Sequence, residues 1–343
     1  MGETAAPLQG VPMDAETTAS PVAACCARLF GDEMPGRDLD CSELPELRLD
    51  DRMLLWVDLS QPDADMLDIV WSALDLPQAA RTFLEDGGTT PCVRKYSGFF
   101  AVRAVATDND CLSLQGRVLT MLAGHNVVVS IHDQAVPFID EIRQHNADQT
   151  DVGGLCAESF VAAMLDWHLS TYFDAAADFE MAVERLEVDI LADRHRDCLP
   201  ELRRLRRIAS RMRRMLSPHR AVFGALSRPD FSPAEDRSAE RHFVALDTRF
   251  ERAMDIVENA RELVIGSFDL FSSQTALKTN DAMRILTFVT VVTGVLAVIA
   301  GALGMNFNAE LFQTRASGFW TAVVGMGLLA GGAIAYGKWR RWF

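Results

Sequence analysis

The chain has 343 residues, room for two or three domains, and 24% of them are charged. Its formal net charge of −15 excludes a nucleic-acid partner, because gripping a phosphate backbone needs a basic footprint, and it favours cations instead. Seven cysteines (Cys25, Cys26, Cys41, Cys92, Cys111, Cys156, Cys198) are scattered with neither zinc spacing nor a paired framework, which predicts reduced thiols.

Residues 1–49 show no basic segment followed by an apolar one, so no secretory leader is expected, and they read as a flexible acidic tail. The run MLLWVDL at 53–59 predicts a strand. Met66, Leu67, Val70, Trp71 and Leu74 then recur at helical spacing over 63–76. A short helix follows over 77–84, closed by the pair Gly87 and Gly88. Strands are predicted at 92–96, 99–106 and 126–131, the last a continuous valine run of the kind buried on both faces. Residues 50–150 therefore predict one α/β domain.

From residue 155 the pattern changes to long helical periodicity, carried by Phe160, Met164, Trp167, Leu169, Phe173, Phe179, Val183, Leu186 and Ile190. A second arm opens near Pro200 and exposes a run of arginines between Arg203 and Arg214, which reads as a solvated face. Residues 151–232 thus form helical arms. Ser232-Pro233-Ala234-Glu235 has the form of a capping box with proline at the first helical position, and no proline follows it. An unbroken helix from there to Gly304 would be roughly 105 Å long. Residues 233–284 are then a stalk that needs neighbours along its apolar side.

Two stretches lack charge altogether, 285–304 and 319–337, and each is about 18–20 residues, enough to cross a bilayer. They predict two transmembrane helices joined by a loop at 305–318, with a basic tail at 338–343. Lys278 and Arg284 precede the first span, and Lys338, Arg340 and Arg341 follow the second, whereas the loop holds only Arg315. The excess of positive charge places both ends, and the large charged region, on the cytoplasmic side. The fold class is an α/β cytoplasmic domain plus long helical stalk and two transmembrane helices, with an all-α membrane part.

The stretch Asn280-Asp281-Ala282-Met283-Arg284-Ile285-Leu286-Thr287, the apolar span and then Gly304-Met305-Asn306-Phe307 resembles the first transmembrane helix of the CorA family of magnesium channels, whose signature is Gly-Met-Asn. The order of segments is similar from about residue 50 to the basic-aromatic end. Met215-Leu216-Ser217-Pro218-His219-Arg220 is also similar to the zinc-handling ZntB branch. The resemblance implies a CorA-like funnel: a homopentamer in the lipid of the inner membrane, passing Mg²⁺, Co²⁺, Ni²⁺ or Zn²⁺ passively down the membrane potential. It implies divalent ions as substrate and as cytoplasmic regulator, and no other cofactor. A ZntB-like zinc transporter is the alternative.

Magnesium dehydrates reluctantly, so a mouth that hydrogen-bonds its water shell serves better than one that strips it. A ring of neutral Asn306 carboxamides, beside Gly304 and Met305, can accept those water hydrogens, and the carbonyl end of the helix attracts cations without a trapping charge. Stepping back along one face selects Gly301, Ala297, Gly294, Thr290, Thr287, Met283 and Asn280 as pore-lining. The resemblance implies bulky hydrophobic gates and a polar inner ring, which Met283 and Asn280 match; Gly294 departs from it. In the second span Gly327 and Gly331 form a small-xxx-small pattern suited to packing. Glu310 in the loop collects cations. Asp247, Glu251 and Asp255, at i, i+4 and i+8, are the candidates for the regulatory metal.

An enzyme is not expected. His195-Arg196-Asp197 is superficially like a kinase catalytic loop, but Leu202 stands where that loop needs asparagine, and no glycine-rich phosphate loop accompanies it. His195 and Cys198 lack a second ligand pair. The remaining rival is a membrane-anchored scaffold that conducts nothing, for which Asn306 would be dispensable.

Overall fold

The computed structural model describes residues 24–31, 34–50, 52–108, 115–145, 156–192, 198–231, 238–304 and 315–340. Two compact units divide the chain: Met1–Ala182 with Arg204–Glu262, and Val183–Arg203 with Leu263–Phe343.

In the first unit seven strands form one sheet: β1 (Ala24–Gly31), β2 (Met34–Leu39), β3 (Met53–Ser60), β4 (Cys92–Tyr96), β5 (Phe99–Thr107), β6 (Gly116–Ala123) and β7 (Val127–His132), in the order β2-β1-β3-β7-β6-β5-β4. Neighbours are antiparallel except β3 and β7, which run parallel with Trp56 opposite Val128 and Asp58 opposite Ser130. These two are buried on both faces, as a central parallel pair requires, and the chain between them makes the crossover. Alternate residues of β3 serve two cores. Leu55, Val57 and Leu59 pack with Val70 and Trp71 of α1 (Ala64–Ala73) and with Ala80 and Phe83 of α2 (Gln78–Glu85). Trp56 points the other way, its ring 5.5 Å from Phe160 of α4 (Ala157–Leu191); between them on the chain lies α3 (Pro137–His145). Burying side chains of this size contributes about 1.5–3 kcal/mol each.

Local chemistry sets the ends. The Asp63 carboxylate accepts the Met66 N–H at 2.7 Å and starts α1. After α2 the chain turns through Gly87, whose φ of +58° glycine adopts without strain.

The second layer of the first unit comes from α4, α5 (Cys198–Leu216), a 3-10 turn at Ser217–His219, α6 (Arg220–Leu226) and the start of α7 (Ser238–Leu303). Phe231 and Phe243 close on Phe100 of β5 at 5.3 and 6.3 Å. Strand β4 pairs with β5 only as far as Arg103, so the backbone of Val105 has lost its neighbour on that edge. Side chains replace it: the Val105 N–H donates to His219 Nε2 at 3.0 Å, and the Tyr172 hydroxyl donates to the Val105 carbonyl at 2.6 Å. Buried backbone groups need such partners, which fixes the 3-10 turn and α4 to the sheet. The second unit holds Val183–Arg203, with the end of α4 and the start of α5, together with the rest of α7 and α8 (Arg315–Trp339).

Three expectations need correction. The acidic tail does not reach residue 49, because β1 and β2 are strands of the sheet and a 3-10 turn at Cys41–Glu46 follows them. Ala27 joins the core on α1 and α2, Phe30, only 1% exposed, packs on the opposite face with its ring 5.9 Å from Phe160, and β2 tolerates Pro35 because it is the outermost strand. Second, the cysteines include a pair: Cys25 and Cys41 form a disulfide with their Cα atoms 6.2 Å apart, brought together as the Cys41 turn folds back over β1. Third, β6 was not anticipated; its run Val118-Leu119-Thr120-Met121-Leu122 is apolar without a period that separates strand from helix. The capping box at 232–235 lies outside the described residues, and α7 is described from Ser238.

Candidate functional site

The predicted stripe lies entirely on α7, a single helix of 66 residues over the segments expected to be stalk and first span. In the single chain Asn280, Met283, Thr287, Thr290, Gly294, Ala297 and Gly301 are all exposed, with Met283 at 60%. The half-buried residues between 288 and 303 are others: Phe288, Val292, Leu296, Ile299 and Leu303. At 3.6 residues per turn the two sets point roughly 180° apart. One side of the helix is therefore covered by its own chain, and the opposite side, neutral and small, is open.

Hydroxyls on this face are already oriented. Thr290 Oγ1 donates to the Leu286 carbonyl at 2.8 Å, and toward the N-terminus Thr275 and Thr279 donate to carbonyls four residues back at 2.8 and 2.9 Å. A hydroxyl whose proton is so engaged presents its lone pairs outward, as acceptors for the water hydrogens around a hydrated cation. The face runs back along α7 as an open groove past Phe268, Phe271 and Thr275 to Asn280 and Met283. A Cβ at Gly294 or Gly301 would meet nothing within 4 Å.

At the end of α7 the Gly304 N–H donates to both Ala300 and Gly301 carbonyls, at 3.0 and 3.2 Å, tightening the last turn. Among the described glycines only Gly87 and Gly98 have positive φ, so Gly304 is not a left-handed cap. Met305, Asn306 and Glu310 lie outside the described residues, as do His195 and Arg341. On α8 the half-buried face is Ala322, Gly325, Met326, Ala330, Ala333, and Gly337 is buried beside it. Gly327 and Gly331 are exposed with open space around them, so the pattern expected to pack is not the one covered within the chain. Lys338 is exposed, and the Arg340 guanidinium reaches the Tyr336 hydroxyl at 3.3 Å.

The three stalk carboxylates sit in the first unit and do not converge on a metal. Glu251 is paired with Arg220 at 2.8 Å, and among the described residues no three His, Cys, Asp or Glu side chains are placed to hold an ion.

Sequence reasoning missed two buried polar centres. Asp58, 2% exposed, takes hydrogen bonds from Ser130 and Arg143 and lies 3.3 Å from His132 Nε2, while Trp56 Nε1 donates to Ser130 at 2.9 Å. Burial pushes the His132 imidazole down, but the hydrogen bond and charge of Asp58 outweigh it, so its pKa ends above the ordinary 6.5. A lone aspartate inside an apolar strand run was the available signal. The second centre stacks His168 against His219, centroids 4.7 Å apart. Burial lowers both; His219 falls to about 4, and His168, also repelled by His219, falls well below 6.5. Neither His168 nitrogen has a hydrogen-bond partner among the described residues. The Ser-Pro-His segment is thus a packing junction that ties helices to β5.

A sheet-and-helix domain followed by one long helix and a second apolar one, both long and apolar enough to cross a membrane, defines a class: membrane proteins with a large extramembrane domain ahead of two C-terminal spans. The relatives narrow this. The family described as CorA-like Mg²⁺ transporter protein matches residues 51–338, and the chain belongs to it, as a divalent cation transporter. It is 22% identical over 245 residues to the cobalt/magnesium transport protein CorA of Thermotoga maritima, covering 71% of this chain and 70% of that one. Its fold is similar to the complete CorA magnesium transporter of Methanocaldococcus jannaschii (TM-score 0.72, 21% identity, 93% of this chain and 98% of that one). It is likewise similar to full-length CmaX (TM-score 0.69, 18% identity, 95% and 99%).

Proposed function

We propose that this chain forms a homo-oligomeric channel through which hydrated divalent cations, Mg²⁺ foremost, pass down the membrane potential. The observation that carries the reading is the open, uncharged face of α7, turned away from the face that its own chain covers. Copies of that face around an axis, from Asn280 and Met283 up to Gly301, line a water-accessible path. Acceptor oxygens along it hold an ion's water shell without the fixed charge that would trap the ion. Gly304, Met305 and Asn306 form the mouth, with Glu310 beyond it, and Lys338, Arg340 and Arg341 hold both chain ends on the cytoplasmic side of the inner membrane. Cytoplasmic divalent metal closes the channel; Asp247 and Asp255 are half-sites that a neighbouring copy completes, since Glu251 is occupied by Arg220.

The test is flux into proteoliposomes. Asn306→Ala abolishes Mg²⁺ uptake while the oligomer remains intact by size exclusion; unchanged uptake in an intact oligomer defeats the pore and favours a scaffold. Running wild type with Mg²⁺, Co²⁺, Ni²⁺ and Zn²⁺, with and without a proton gradient, separates a passive magnesium channel from a ZntB-like zinc transporter.

A further inference from the structure

The first unit carries a cysteine pair that ion transport does not use. Cys25 lies in β1, opposite Leu59 of β3, and Cys41 opens the 3-10 turn that follows β2. Their Cα atoms are 6.2 Å apart across 16 residues of chain, within the span a disulfide bridges. Both are half-buried at the margin of the core built on Leu39, Leu44 and Leu55, where a small thiol reagent can reach them. The loop they close contains β2, the outermost strand, which has only β1 as a neighbour. Apart from this bond the turn is held by Leu44, 1% exposed, and by Asp40, whose carboxylate accepts the Ser42 N–H at 3.0 Å.

Cys26, Cys92 and Cys156 are free thiols. A chain that keeps free thiols beside one well-placed pair does not have the cysteine pattern of a permanently oxidised scaffold. We propose that Cys25 and Cys41 are a reversible thiol–disulfide modification site that staples the outer edge of the sheet. The site stands apart from the transport reading. With glutathione disulfide as oxidant, one cysteine thiolate attacks a glutathione sulfur and releases the first glutathione thiol, leaving a mixed disulfide. The second thiolate then expels the other glutathione. Two protons and two electrons leave the protein in two glutathione thiols, and an excess of reduced glutathione reverses both steps.

The test uses the full chain in detergent, equilibrated with reduced or oxidised glutathione, then labelled with maleimide after denaturation. Of the seven cysteines, two fewer label after oxidation, and digestion yields a peptide joining Cys25 to Cys41. Reduction lowers the melting midpoint by roughly 5–10 °C, because opening the closed loop returns entropy to the unfolded chain. Cys26→Ser keeps the whole response, and Cys25→Ser abolishes it. Seven labelled cysteines under oxidised glutathione, a linkage through any other cysteine, or a melting midpoint indifferent to reduction overturns the site. The labelling of wild type decides the matter even where Cys25→Ser folds poorly.

Discussion

At the scale of single residues, the first unit holds imidazoles whose titration opposes one another. His132 has its folded pKa raised by Asp58, so its contribution to stability is complete below the unfolded value of 6.5 and disappears as pH rises through the folded one. His168 and His219 have lowered values, so what they contribute is present above 6.5 and is lost as pH falls, toward about 4 for His219. On the acid side the contributions of these two buried imidazoles are lost. His219 uses both nitrogens, one accepting from Val105 and the other 3.1 Å from the Leu216 carbonyl, whereas His168 is fully buried with neither nitrogen partnered among the described residues. We expect His168→Leu to leave stability at pH 7.5 unchanged or raised by about 1 kcal/mol, since an unpaired buried polar group costs about 1–3 kcal/mol. Between pH 6.5 and 4.5 the variant should lose less stability than wild type. Denaturant midpoints across that range check this, and identical acid limbs would show that His168 does not charge on unfolding.

At the scale of elements, α7 shows what a sequence can and cannot reveal. Counting back from Gly304 in steps of three and four selected a stripe, and the helix leaves that stripe wholly exposed in the single chain. The Gly-Met-Asn signature supplied the starting point and helical period the rest, because the span has no charge and no proline to interrupt it. The face opposite was not marked: Phe288, Val292 and Leu296 are no more apolar than Val289 or Val295, which are exposed. In the sheet the buried runs of β3, β5 and β7 were legible because they are continuous, while β1 was masked by its polar surroundings and β2 by its Pro-Gly. The Asp58 cluster joins residues 72 to 85 positions apart, a separation no local pattern encodes. Gly294 turns the exposed stripe into a prediction. A side chain there meets nothing within 4 Å, and leucine is a better helix former than glycine by about 1 kcal/mol. Gly294→Leu should therefore fold and insert normally yet cut Mg²⁺ flux at least tenfold, by narrowing the proposed path. Flux equal to wild type, with an unchanged melting midpoint, would place this face away from the ions.

At the scale of the whole molecule, two spans set the argument. A pair of helices has no interior, so in the proposed channel the water-filled path is shared by several copies of α7, each turning its open face inward. The same geometry accounts for what a single chain leaves uncovered. On α8 Gly327 and Gly331 stand free, a close-packing surface of the kind that joins helices in lipid, where no hydrophobic drive exists between them. Both observations fit the homo-oligomer proposed above, for which the expected number of copies is five. Native mass spectrometry from detergent should give one dominant species at about five times 37.9 kDa. Gly331→Leu, which crowds the outer face of α8 and leaves the open stripe of α7 untouched, should shift that species toward smaller assemblies, with flux falling in proportion to the pentamer lost. A monomer that conducts as well as wild type would refute the shared path, because it would place the whole route within two helices.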